Sequence, residues 1–301
     1  MDIKRTPIFN LRQAIRMPLK IYNAKSSSCL VNNDIKNQKS LFEITDCSGN
    51  KFMYVNKFTN VTRRVIESYL NEAKISPYFY INTSVIDNSE FIAWTINKLA
   101  KYNMPMYIET DRSLSEGILD SLSKNPFNII QCNLSQISSA KEDYDTEEEY
   151  MRIQGLRVLP YKAKIHGLYV ILNIDPIVPQ VTQLKNILTL LNAEKNVCNH
   201  IILNFIKIPK IKGAKDSFVS YFDSVHNVTI DSDYFELKNN VWECAKWYKD
   251  LVIEDLRYLS KDIDISICGE CKKCRGIKLN EAIRCENGGY KLNVPKYNKK
   301  R

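Results

Sequence analysis

The sequence predicts an α/β barrel, complete or open on one side, followed by a small cysteine-rich extension. Three observations point there. Apolar runs rich in β-branched and aromatic residues alternate with segments of helical period. The chain has 301 residues, 44% hydrophobic and 26% charged, a size and composition ordinary for one such barrel. Near its C-terminal end, cysteines cluster at metal-ligand spacing.

The candidate strands are residues 19–22, 78–83, 105–110, 128–134, 168–174, 200–206, 227–230 and 264–267. Between them 60–73, 89–102, 114–123, 147–165, 181–194 and 240–260 carry the 3.6-residue period of amphipathic helices. Alternation of strand and helix implies right-handed crossovers and a mainly parallel sheet. About eight strands suit a barrel, with a doubly wound sheet as the competing architecture. Asn88-Ser89-Glu90 and the Asp120/Ser121 region read as capping chemistry. The acidic stretch 141–149 reads as a solvated loop and helix start, because carboxylates are favoured at the positive end of a helix. The barrel is assigned to residues 1–267 and the extension, with its basic tail, to 268–301.

A formal charge of +9 and a pI near 8.9 favour an anionic partner, nucleic acid first. No run approaches the roughly 18 apolar residues that span a bilayer, and the first residues lack the apolar core of a signal peptide. Nine cysteines, an odd number unevenly spaced, read as reduced thiols and a metal site rather than a disulfide framework. Together these predict a cytoplasmic protein with no membrane partner.

In a parallel barrel the site lies at the C-terminal ends of the strands. Those ends carry Asn82, Thr83 and Ser84, then Glu109, Thr110 and Asp111, then Asn133 and Ser135. Asn173, Asp175, Asn204 and Lys207 continue the series. Short polar side chains at successive strand exits suit a small polar ligand, and Asn133, Asn173 and Asn204 fall within apolar runs. Asn82, Glu109, Asn133, Asn173 and Asp175 are expected to face one cavity. His166, His200 and His226 have no partner at telling spacing; the first two read as structural. The absence of GxSxG, Walker, HExxH and GxGxxG motifs argues against the common hydrolase and kinase chemistries.

The segment Arg152-Ile153-Gln154-Gly155-Leu156, followed by Gly167-Leu168-Tyr169-Val170 and Asn173-Ile174-Asp175-Pro176-Ile177-Val178-Pro179, resembles radical-SAM enzymes. The resemblance is to the branch related to spore photoproduct lyase. Tyr54-Val55-Asn56-Lys57, the Asp87/Glu90 loop and Tyr107-Ile108-Glu109-Thr110 stand in the same order, although Asp111 replaces the lysine that usually follows the threonine. The resemblance spans about residues 52–209. It implies a radical-SAM-like β/α barrel, a [4Fe–4S] cluster and SAM.

The departure lies in the cluster loop. The family places CxxxCxxC after the first strand, where three thiolates hold the cluster. The matching segment, 23–57, has only Cys29 and Cys47, and the glycine-rich turn expected after Thr83 is missing. Cys268, Cys271 and Cys274 form CxxCxxC instead, with Cys285 as a fourth sulfur. Such a set suits zinc or an iron–sulfur cluster, and Lys272, Lys273 and Arg275 would lower the thiol pKa values. Cys132, Cys198 and Cys244 read as small buried apolar residues. Two functions follow. One is a divergent radical-SAM-like lyase or modifying enzyme acting on nucleic acid or nucleotides. The other is a non-catalytic barrel binding nucleic acid or protein, with a zinc patch and stacking groups at Tyr290 and Tyr297.

Overall fold

The computed structural model describes residues 41–45, 51–55, 60–72, 78–83, 89–134, 146–194, 196–210, 215, 218–220, 229–238, 241–259, 265–266, 283–286 and 289–292. Eight strands form the main sheet. They are β1 (Leu41–Thr45), β2 (Lys51–Val55), β3 (Tyr78–Asn82), β4 (Met106–Thr110), β5 (Ile129–Leu134), β6 (Tyr169–Ile177), β7 (His200–Phe205) and, after three further strands, β11 (Ile265–Ser266). Their spatial order is β1-β2-β3-β4-β5-β6-β7-β11. Only β1 runs antiparallel to its neighbour; β2 through β7 and β11 are parallel.

This order decides between the two predicted architectures. A doubly wound sheet reverses its strand order at a switch point, whereas here successive strands always add on the same side. With crossovers of one hand, steady addition puts the helices on one face and leaves the other facing inward. The result is a curled, partial β/α barrel. The covering helices are α1 (Asn60–Glu72), α2 (Ser89–Lys101), α3 (Glu116–Ser123), α4 (Glu147–Ile165), α5 (Leu184–Glu194) and α6 (Lys246–Leu259).

Side chains alternate between the two faces with the strand period of two, and in β4, β5 and β7 both faces are buried. Phe79 and Ile81, Met106 and Ile108, Ile130 and Cys132, Leu172 and Ile174, and Ile201 and Leu203 pack with the helices in one continuous core. Phe91, Ile92, Ile96 and Leu99 of α2 and Leu119 and Leu122 of α3 enter that core from the other side. The alternate residues Tyr80, Tyr107, Ile171 and Ile202 are buried as well, on the inner face.

Helix α4 shows how local chemistry fixes an element. Thr146 caps it by accepting from the Glu149 amide at 3.1 Å, with Glu147, Glu148 and Glu149 in the first turn and Lys162 and Lys164 in the last. Glu147–Glu149 of the acidic stretch are therefore the helix start the sequence implied, and residues 141–145 lie outside the described residues. At the other end Gly167 takes φ +71°, its amide donates to Lys164 O at 2.9 Å, and the Leu168 amide donates to Ala163 O at 3.0 Å. That pair of bonds is a Schellman stop, and it turns the chain into β6.

Several expectations are corrected. Residues 240–260 are not one helix: Val241–Cys244 is strand β10, which pairs with β8 (Lys207–Pro209) on one side and β9 (Phe235–Lys238) on the other. Val241 and Trp242 are strand formers, and two neighbours outweigh the helical period read across them. Thr229 and Ile230 of the expected strand 227–230 are not strand, because β11 joins β7 directly and leaves no edge there. Strands β1 and β2 form a hairpin in the segment read as a loop. Asp120 and Ser121 lie inside α3 rather than capping it; Ser121 bonds Asn97 and Gly117. The candidate strand 19–22 and Asn88 lie outside the described residues. The three-stranded sheet β8-β10-β9 and the hairpin β12 (Ile283–Glu286) to β13 (Gly289–Leu292) complete the strands described.

Cys132, Cys198 and Cys244 are free and buried, as read from sequence. Burial pushes the thiols of Cys132 and Cys198 up and that of Cys244 up to about 12, so all three stay protonated near neutrality. His200 opens β7 in the interior, where burial pushes its pKa down to about 3.

Two outcomes are expected. Gly167→Ala should destabilise the fold by about 1 kcal/mol in urea titration, and Gly167→Asn by less. The left-handed backbone penalises a Cβ, although nothing lies within 4 Å of the one added. For His200, the unfolded side chain takes a proton near pH 6.5 while the folded one resists. Its stabilising effect is therefore complete above pH 6.5 and is lost as pH falls towards 3, by up to about 1.4 kcal/mol per unit. His200→Leu should remove that part of the acid slope in unfolding titrations at pH 4 to 7.

Candidate functional site

The inner face of β3 to β7 carries a connected polar row near the C-terminal ends of the strands. In β3 and β4 the same-face residues are Tyr80 with Asn82 and Tyr107 with Glu109. In β5 they are Gln131 with Asn133, and in β6 and β7 Asn173 and Asn204 complete the row. Register brings them level: Asn82 is opposite Glu109, Glu109 opposite Gln131, and Asn133 opposite Asn173. Glu109 and Asn173 are fully buried, and Asn82, Asn133 and Asn204 nearly so.

The hydrogen bonds run one way. Asn204 Nδ2 donates to Asn173 Oδ1 at 2.9 Å, and Asn173 Nδ2 donates to Asn133 Oδ1 at 2.8 Å. Asn133 Nδ2 donates to Glu109 Oε1 at 2.5 Å. Tyr80 donates its hydroxyl to Glu109 Oε2. A branch joins through Tyr107, whose hydroxyl donates to Gln131 Oε1 at 2.5 Å, while Gln131 Nε2 donates to Asn133 Oδ1 at 2.8 Å. The rings of Tyr80 and Tyr107 lie 5.7 Å apart beneath the row. Every buried polar group so joined avoids the desolvation penalty of an unmade bond. At the β7 end, Asn204 Oδ1 accepts from no described residue.

A second arrangement sits at the exit of β4. Asp111 is buried, with Arg112 Nε 3.5 Å from Oδ1 and Arg152 Nη1 3.7 Å from Oδ2. Arg152 also donates to the Asp111 carbonyl at 2.5 Å. Arg152 is the arginine that opens the α4 segment resembling a known family. Gly155, one turn later, lets the helix approach: a Cβ there would lie 3.2 Å from Ser113 Cβ and Oγ. Thr83 and Thr110 hydrogen-bond one another at 2.7 Å on the helix-facing side, so Thr83 does not join the amide row.

Four of the expected cavity residues, Asn82, Glu109, Asn133 and Asn173, share the inner face, and Asn204 extends it. Asp175 occupies a β-bulge between Ile174 and Ile177, which is where Pro176, lacking an N–H, fits within a strand; its side chain lies outside those described. Ser84 and Ser135 also lie outside the described residues. Lys207 opens β8 and pairs with Glu243 at 3.6 Å, away from the row. Sequence reading gave no site role to Tyr80, Tyr107, Gln131 and Arg152, although Tyr107 and Arg152 stand in the family-like segments. For the first three the signal was present, since each stands two residues before a predicted site residue and so on its face.

Among the described residues no three His, Cys, Asp or Glu side chains converge as a metal site. Cys29, Cys47, Cys268, Cys271 and Cys274 lie outside the described residues, and Cys285 lies in β12 with its side chain undescribed. The donors described on the inner face are amides, phenols and one carboxylate, a set unsuited to a [4Fe–4S] cluster. No helix among the described residues is long and apolar enough to cross a membrane.

No family model and no curated protein matches the chain. Solved structures do. A cysteine-to-serine mutant of spore photoproduct lyase is 12% identical, with a TM-score of 0.48, covering 71% of this chain and 67% of that one. The same lyase with bound AdoMet and dinucleoside spore photoproduct is 13% identical, with a TM-score of 0.46 and coverage of 73% and 68%. SuiB of Streptococcus suis is 11% identical, with a TM-score of 0.42, covering 70% of this chain and 42% of that one.

Mutation separates the role of the carboxylate from that of the amides. Asn133→Ala leaves Glu109 Oε1, Asn173 and Gln131 without a shared partner and should cost about 3 kcal/mol. Glu109→Gln keeps the shape but lets the amides flip, and should cost about 1–2 kcal/mol. Urea unfolding with circular dichroism measures both.

Proposed function

We propose that this chain is a divergent radical-SAM-like protein whose half-barrel floor binds a nucleotide or nucleoside in the cytoplasm. The observation that carries the reading is the directed row Asn204–Asn173–Asn133–Glu109 at the C-terminal ends of four adjacent parallel strands, where parallel sheets bind ligands. The row ends in an acceptor, Asn204 Oδ1, suited to a ligand hydroxyl or amino group. Asn82, at the other end, and Arg112 and Arg152, at the β4 exit, add polar and cationic groups. The charge of +9 favours an anionic ligand, with nucleic acid as the larger partner. Ser135 and Asp175, each two residues after an asparagine of the row, complete the proposed binding set, whereas Thr83, on the helix-facing side, is left out of it.

The catalytic part of the reading depends on the cysteines. Segment 23–57 does not supply three local thiolates, so no step is assigned to a cluster there. We assign a metal, zinc or a [4Fe–4S] cluster, to Cys268, Cys271, Cys274 and Cys285, within a C-terminal extension beginning at residue 268. Spacing supports this: three sulfurs at i, i+3 and i+6 can converge on one ion. Cys271→Ser should lower the metal content of protein purified without oxygen, as measured by elemental analysis; unchanged stoichiometry rejects the site.

The binding reading is tested by calorimetric titration with SAM, adenosine and a dinucleotide as probes. At least one should bind, and Asn204→Ala should weaken it about tenfold, the worth of one lost hydrogen bond. A wild-type protein that binds none of the three overturns the reading. SAM cleavage by iron-loaded protein identifies an enzyme; binding without cleavage identifies the non-catalytic module.

A further inference from the structure

Helix α4 has two apolar faces. Ile153, Leu156, Leu159, Pro160 and Ala163 are buried against the sheet. On the outer side Met151, Val158, Tyr161 and Ile165 are 48–68% exposed. Single exposed apolar residues are ordinary on a protein surface, but these four are spaced by seven, three and four residues. That is the a, a, d, a sequence of a heptad, with Gln154 at the remaining d position. Nothing in the sheet's own packing calls for such a seam on the solvent side.

The charges along the same helix indicate what covers it. Its first turn carries Glu147, Glu148 and Glu149, and its last turn Lys162 and Lys164. A parallel copy would set like charge against like. An antiparallel copy sets the acidic start of one helix on the basic end of the other. Glu148 and Lys162 both fall at e positions, fourteen residues apart, and in an antiparallel pair e positions of the two helices face each other. Two-fold symmetry makes that contact twice.

We infer that α4 is a self-association surface, pairing antiparallel with α4 of a second copy of this chain. The two-fold axis passes between Gln154 and Val158, placing Met151 against Tyr161 of the second copy. A helix of 19 residues is about 28 Å long, so the seam alone is a small interface. Its dimer dissociates at micromolar concentrations. This inference is independent of the ligand bound on the inner face.

Sedimentation velocity on the full chain, from about 1 to 200 µM, tests it. The wild type is expected to show a reversible monomer–dimer equilibrium across that range. Val158→Glu, at an exposed position the fold tolerates, should leave a monomer throughout with unchanged circular dichroism. Glu148→Lys and Lys162→Glu should each weaken the dimer about fivefold or more, and the double swap should restore it. Lys162 also pairs with Glu116 in its own chain, at 2.6 Å, so thermal melts accompany that variant. A wild-type monomer at every concentration overturns the inference. So does a dimer that survives Val158→Glu, or a double swap no tighter than the singles.

Discussion

The oxygens of Glu109 accept hydrogen bonds, whereas a carboxamide can donate or accept, and from that asymmetry the inner face takes its order. Glu109 Oε1 requires the Asn133 amide to present Nδ2, which turns Oδ1 towards β6 and obliges Asn173 to donate. Asn173 in turn offers Oδ1 to Asn204. One buried carboxyl group thus orders three amide side chains across four strands. It also fixes which group emerges at the far end: an acceptor rather than a donor.

That row depends on the sheet being singly wound. Because β2 through β7 are added in sequence order, helices cover one face and the strand period sorts residues cleanly between the two. Ile108 and Ile130 meet helices, while Glu109 and Gln131 meet one another. In a doubly wound sheet both faces would be covered by helices, and the polar side chains of the row would be buried against apolar surface.

This sorting explains what was legible. Strands 105–110, 128–134 and 200–206 combine β-branched runs with turn signals, and all three formed with Glu109, Asn133 and Asn204 where the alternation put them. Val241–Cys244 was not legible, because its strand state depends on partners at 207–209 and 235–238 that the local pattern does not contain. The β1–β2 pairing was missed although Ser48-Gly49-Asn50, a turn signal, stands between Leu41–Thr45 and Lys51–Val55, because the whole segment was read as a polar loop. The role of Arg152 was half visible. Its place in a family-like segment was read from sequence, but its bond to Asp111 joins residues 41 apart and follows only from the packing of α4 on β4 and β5.

Helix α4 joins the inner and outer surfaces of the molecule. Its buried side carries Ile153 and Leu156 into the core, Gly155 brings it close to Ser113, and Arg152 reaches the Asp111 carbonyl at the rim of the polar row. Its outer side carries the exposed seam from Met151 to Ile165. Packed interiors are close to incompressible, so a helix gripped on one side by a close glycine contact and a charged hydrogen bond moves as a unit. One helix thus carries both the contact at the β4 exit and the outer seam, with Arg152 and Val158 less than two turns apart.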